Sequence, residues 1–181
     1  MPRYVILLRG INVGGKNKLS MTALKDALED LGCENVATYI NSGNVVLDSK
    51  KSAKAIEAEI EKLLPKKFKL DSELIRVLAL PKATYKKMVD GRPKGFGDQP
   101  GKYHSDAIFL MSSKVADAVK VFDPREGVDE LWPGSGLIFH QRLSAQRTKS
   151  KLNRIMATPF YKEMTIRNWA TTKKLLEMLE G

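Results

Sequence analysis

Two stretches carry residue types whose spacing could do chemistry. In residues 4–18, YVILLRGINVGGKNK, an apolar run ends at Arg9 and opens into Gly10, Gly14 and Gly15, with Lys16 and Lys18 behind them. Glycines permit positive φ and close backbone approach, so free N–H groups can converge on an anion there, and the lysines add charge. The run from Gly10 to Lys16 fits G-x-x-x-x-G-K, but Asn17 stands where a nucleoside-triphosphatase loop needs Ser or Thr for magnesium. The next helix is expected to start near Ser20, not at the lysine. The stretch therefore reads as an anion or ligand loop of another kind, or as a turn whose glycines serve shape alone.

The second stretch is residues 141–162, with six basic residues and no acidic one. Arg142, Arg147, Lys149, Lys151 and Arg154 are expected to lie near Arg167, Asn168 and Trp169. Two helix N-termini, near Lys149 and Thr171, would open on the same side and add their dipoles. Trp169 either stacks on a base or packs in a core. The basic run is either a binding surface or a solvated helix face.

Other chemistry is thin. His104 and Asp106 share a strand face at i, i+2, and two residues do not make a metal site. Cys33 is expected to be a small buried apolar residue, not a nucleophile. No pair of carboxylates stands in the glycine-rich loops for acid–base hydrolysis. Catalytic residues stay unassigned, and neither a cofactor nor a metal is expected. Lys94-Gly95-Phe96-Gly97 matches half of an RNA-recognition signature, but Asp98 and Gln99 break it, so the match is read as chance.

The elements that must position these residues follow from periodicity. Residues 5–8 form a buried strand. Met21, Leu24, Ala27, Leu28 and Leu31 make a helical stripe closed by Gly32. Strands at 35–40 and 45–47 flank the turn Asn41-Ser42-Gly43-Asn44. A helix capped by Ser52 runs to Pro65, and a strand covers 73–80. The second half repeats the order: strand 107–111, a helix capped by Ser113, strands 129–132 and 137–140, a helix at 149–156, strand 165–167 and a closing helix at 171–179.

Both halves read β-α-β-β-α-β, so the fold class expected is α+β, two ferredoxin-like α/β-plait (βαββαβ) subdomains in tandem. The first spans 1–81, a short helix and a Gly/Pro-rich linker fill 82–101, and the second with its C-terminal helix spans 102–181. With strand order 4-1-3-2, Arg9, Asn12, Lys16, Lys18, Asn41, Ser42, Asn44, Lys66 and Lys67 gather on one rim, with no acid in its loops. The residues expected to bind an anion are Arg9, Asn12, Gly14, Gly15, Lys16, Lys18, Asn41, Ser42, Asn44, Arg147, Lys149, Arg167, Asn168 and Trp169.

The blocks LLRGINVGGKNK (7–18), TYINSGNVVLDS (38–49), KYHSDAIFLM (102–111), GSGLIFH (134–140) and TIRNW (165–169) resemble the bacterial family called domain of unknown function 1697. The resemblance runs over the whole chain and implies two α/β-plait subdomains. It implies no activity. The chain departs from the family pattern at Ala170, where relatives often carry a polar residue.

Net charge is +10 with a pI near 9.6, which suits acidic partners: nucleic acid or a phosphate-bearing small molecule. There is no run of 18 apolar residues, so no membrane span is expected. The absence of a secretory signal and the single cysteine point to the cytoplasm. Three readings stay open: a binder of nucleic acid or nucleotide-like anions, an enzyme or sensor for a small phosphorylated or carboxylated metabolite, and a protein-interaction module.

Overall fold

The apolar run near the N-terminus becomes strand β1 (Arg3–Leu8), with Val5, Ile6, Leu7 and Leu8 wholly buried. Removing each such side chain from water stabilises the fold by about 1.5–3 kcal/mol. A computed structural model describes residues 1–181. Its backbone divides into two units, Met1–Tyr85 with Leu175–Gly181, and Lys86–Lys174.

In the first unit β1 is followed by helix α1 (Met21–Asp30), strands β2 (Glu34–Tyr39) and β3 (Asn44–Asp48), helix α2 (Ala53–Lys67) and strand β4 (Val77–Pro81). The sheet is antiparallel throughout, in the order β2-β3-β1-β4. The register pairs Ile6 with Val45 on one side and with Ala79 on the other. Tyr4, Ile6 and Leu8 meet Leu24 and Leu28 of α1 and Ile56, Ile60 and Leu64 of α2 in one core. The hydroxyls of Ser20 and Ser52 accept from the N–H groups of Ala23 and Ala55, capping α1 and α2 as the sequence implied. Cys33 is buried, and burial pushes its thiol up against the opposing charge of Lys51.

Three expectations for this unit need correction. Pro65 does not stop α2, which runs on to Lys67, because a proline in the last turn forfeits only one helical hydrogen bond. Lys67 therefore sits on the helix and pairs with Asp30 at 2.6 Å. Strand β4 starts at Val77, not at residue 73. It is an edge strand, and its N–H groups at Val77 and Ala79 donate to Glu61 (2.9 Å) and Glu57 (3.0 Å) of α2.

Helix α3 (Lys82–Asp90) leads to the second unit's strands: β5 (Tyr103–Leu110), β6 (Asp129–Pro133), β7 (Leu137–Leu143) and β8 (Met164–Asn168), in the order β6-β7-β5-β8. Helices α4 (Val115–Val119) and α5 (Leu152–Ile155) are short, and α6 spans Trp169–Glu180. Ser113 does not cap α4; its hydroxyl donates to Glu163. The helix expected at 149–156 shrinks to the four residues of α5, preceded by a 3-10 turn at Ser144–Lys149. Ser, Thr and Asn in this stretch compete for backbone hydrogen bonds, and Asp129 pins its middle.

The stretch read as a linker holds a core residue. Phe96 is wholly buried, edge-on to Trp132, Phe139 and Trp169 with ring centroids 5.9, 5.1 and 5.1 Å away. A ring so enclosed offers no face to a base. No helix is long and apolar enough to cross a membrane.

Candidate functional site

The loop after β1 is shaped by left-handed backbone at Gly10, Asn12, Gly14, Gly15 and Asn17. Asn12 holds it: its amide donates to the carbonyls of Leu19 (2.9 Å) and Asn41 (2.7 Å), and its oxygen accepts from the Leu19 N–H. Asn17, absent from the expected set, does as much. Its amide donates to Gly10 O and Ser72 Oγ, both at 3.0 Å, and its oxygen accepts from the Ser72 N–H. The Asn17 backbone N–H donates to the Asp71 carboxylate at 2.5 Å.

Two corrections follow. The rim is not free of acid, because Asp71 lies in the loop before β4 and binds the glycine loop directly. The N–H groups of Asn12, Lys16, Asn17 and Leu19 are all engaged within the protein, so the backbone cradle expected for an anion is largely filled. Buried Asn44 donates to Tyr39 O and to Ser42 Oγ, so Asn41, Ser42 and Asn44 meet as scaffolding. Arg9 is half-buried and its N–H donates to Arg76 O. Gly14, Gly15, Lys16 and Lys18 remain exposed, and neither lysine has an acidic partner.

In the second unit the sheet separates residues expected to cluster. Arg142 stands opposite His104, and Asn168 opposite Asp106, on one face. Arg167 stands opposite Ala107 on the other face. Arg167 is buried, donating to Thr165 Oγ1 (2.8 Å) and Ile166 O (3.0 Å), so it is not the open cation expected. Trp169 is buried too, its ring 5.1 Å from Phe96 and 6.0 Å from Phe139; of its two readings, core packing is the one built. Asn168 is a cap: its oxygen accepts from the Thr171 N–H at 2.7 Å. Near Lys149 only the four-residue α5 begins, at Leu152, so of the two helix N-termini expected only that of α6, at Trp169, opens a long helix.

The basic run divides as well. Arg142 is buried beside Asp106, 3.9 Å away, and Lys151 pairs with Asp123. Arg147, Lys149, Arg154 and Lys162 are exposed and have no acidic partner.

A polar cluster lines the α4–α5 side of this sheet. Asp129 accepts from Ser150 Oγ (2.6 Å), from the N–H groups of Lys151 and Arg125 (each 3.0 Å), and from His140 Nε2 (3.2 Å). Burial opposes ionisation of Asp129, but the Ser150 hydroxyl and the two backbone donors outweigh it and hold the carboxyl below its ordinary range. Burial pushes the His140 imidazole down against the Asp129 and Asp106 charges, which keeps it neutral. Ser150 and His140 address the same carboxylate oxygen, so they form no serine–histidine relay. No group of three metal-ligating side chains occurs.

Where β8 ends, a notch of about 370 Å³ opens beside β5, lined by Gly97, Tyr103, His104, Asn168, Trp169 and Lys173 among others. His104 Nε2 lies 3.2 Å from Asp106 Oδ1, and Asp106 is buried. The i, i+2 spacing made this pair visible in the sequence; the notch depends on where β8 stops and was not.

Residues 1–139 match a family model described as protein of unknown function, DUF1697. The chain belongs to the DUF1697 family. Among solved structures it is similar to the conserved bacterial protein SP0830 from Streptococcus pneumoniae. The two are 29% identical, with 98% of each chain covered and a TM-score of 0.81. No curated protein matches the chain. The α+β architecture of two four-stranded antiparallel sheets is seen in the chain itself, and membership in DUF1697 leaves the chemistry to be argued from the side chains.

Proposed function

We propose that this DUF1697 chain binds a phosphate-bearing polyanion, nucleic acid or nucleotide-like, in a cytoplasmic setting. The observation that carries the reading is the segment 142–162, where Arg147, Lys149, Arg154 and Lys162 stand exposed with no acidic partner. Cations that the protein does not neutralise are available to phosphates, and +10 net charge steers such partners inward. Lys16 and Lys18 on the glycine loop supply a second basic contact. Each unit is read as a ferredoxin-like α/β plait, supported by its strand order with the first strand central, and the boundaries near 81 and 102 are part of that reading.

The test is anisotropy of labelled single-stranded RNA and DNA over a series of salt concentrations. About four phosphate contacts give a slope of log K against log salt near −3 for single strands. Replacing Arg147, Lys149 and Arg154 together by Glu should abolish binding at moderate salt. Absence of binding at low salt, or a triple variant that binds like the parent, overturns the proposal.

A further inference from the structure

The register of β5 with β8 ends at the pair Asp106 and Asn168, yet β5 begins at Tyr103. Tyr103, His104 and Ser105 therefore have no strand beside them on the β8 side, because the chain turns away into α6 at Trp169. The notch is this missing piece of sheet. Its volume of about 370 Å³ falls in the range of small-ligand sites.

The polar groups around it are short of acceptors. Lys173 lies one turn after Trp169 on the same helix face, is exposed, and has no acidic partner. The Asn168 oxygen is used in capping Thr171, which leaves its amide N–H groups to donate. The His104 ring is oriented by Asp106 through Nε2, and Asp106 is itself backed by Arg142. None of the lining residues is acidic. Two nitrogen donors and an oriented imidazole facing one concavity suit a phosphate or carboxylate. The Tyr103 ring and the indole of Trp169 add flat apolar wall beside it.

We infer that the notch between the end of β8 and the start of β5 is a binding site for a small phosphate monoester carrying a planar ring, of nucleoside-monophosphate size. Lys173 and Asn168 hold the phosphate, His104 donates or accepts at its edge, and the ring lies along Tyr103. The site shares ligand chemistry with the polyanion reading but none of its cations, so either can fail alone.

Titration of AMP, adenosine and inorganic phosphate into the full chain tests it, followed by tryptophan fluorescence, since Trp169 forms part of the wall. AMP is expected to saturate below millimolar concentration. Adenosine and phosphate are each expected to bind at least about tenfold more weakly, the loss when one charged hydrogen-bonding group or one stacking surface is removed. Lys173→Met and His104→Gln should each weaken AMP by about tenfold. Ala170→Leu, at an exposed helical position on the rim, should block the notch by bulk while leaving every polar group in place. Circular dichroism of each variant checks that it folds. The Arg147, Lys149 and Arg154 triple variant should bind AMP like the parent. No saturation by AMP, or unchanged affinity in Lys173→Met and Ala170→Leu together, overturns the site. Loss of AMP in the triple variant assigns AMP to the basic segment and overturns it equally.

Discussion

Gly95 and Gly97 flank the same buried ring and have left-handed backbones, with φ of +85° and +74°, yet alanine should affect them unequally. At Gly95 an added Cβ meets nothing within 4 Å. Gly95→Ala then costs the left-handed penalty alone, about 1–2 kcal/mol, offset in part by the stiffer unfolded chain. At Gly97 the same Cβ would stand 2.4 Å from Cδ1 and 2.7 Å from Nε1 of Trp169. Relieving that overlap means moving an indole that also meets Phe96 and Phe139. Overpacking of this kind adds about 1–3 kcal/mol to the backbone term. Gly97→Ala should thus cost about 2–5 kcal/mol and exceed Gly95→Ala by at least about 1 kcal/mol. Urea unfolding followed by tryptophan fluorescence is the assay. Both tryptophans, Trp132 and Trp169, lie in the unit Lys86–Lys174, so the signal reports that unit. In thermal scans the gap corresponds to at least about 4 °C for a unit of this size. Two variants of equal stability, within about 0.5 kcal/mol, would refute the close approach of Gly97 to Trp169.

Acid should weaken the second unit in two stages. The His140 imidazole is held down by burial, so its contribution is fully present above the unfolded value of 6.5 and is lost as pH falls below it. The Asp129 carboxyl is also depressed, so its share is lost only at lower pH, as pH falls from near 3.8 through the folded value. Urea midpoints by tryptophan fluorescence should drop between pH 7 and pH 5 and again near pH 3; a flat profile contradicts the buried neutral histidine. In the first unit, Asp71→Ala should release the Asn17 N–H and remove a negative charge from beside Lys16 and Lys18. Binding of inorganic phosphate at the glycine loop, read by backbone amide shifts, should strengthen several-fold, while folding weakens by about 1–3 kcal/mol. An unchanged phosphate response would mean that Asp71 does not occupy the anion position.

Much of the fold was legible because its signals are local. The unbroken apolar run made β1 a central strand, and Ser20 and Ser52 announced their helices by capping three residues ahead. The Asn41–Asn44 turn placed a hairpin for similar reasons. What failed depends on partners far along the chain. Asn17 could be read as a defect in a phosphate loop, but its meaning comes from Asp71 and Ser72, more than fifty positions away. The same Asp71 undid the expectation of an acid-free rim. Phe96 sat in a stretch of glycine and proline whose texture suggests a linker, and only its three aromatic neighbours make it core. The helix expected over 149–156 gave way to the pull of Asp129 on Ser150 and Lys151. Of the candidate cations, sequence could not tell Arg167, sequestered by its own strand, from Lys149, which is free.

The two glutamates of α2 on the rim of β4 have a consequence for how copies of this protein meet. An outer strand ordinarily invites a neighbour's backbone to continue the sheet. Here the donors at Val77 and Ala79 are already answered by Glu61 and Glu57, so an incoming chain would have to evict two carboxylates before forming its first rungs. The helix that covers the core thereby also seals this one side of the sheet against strand addition.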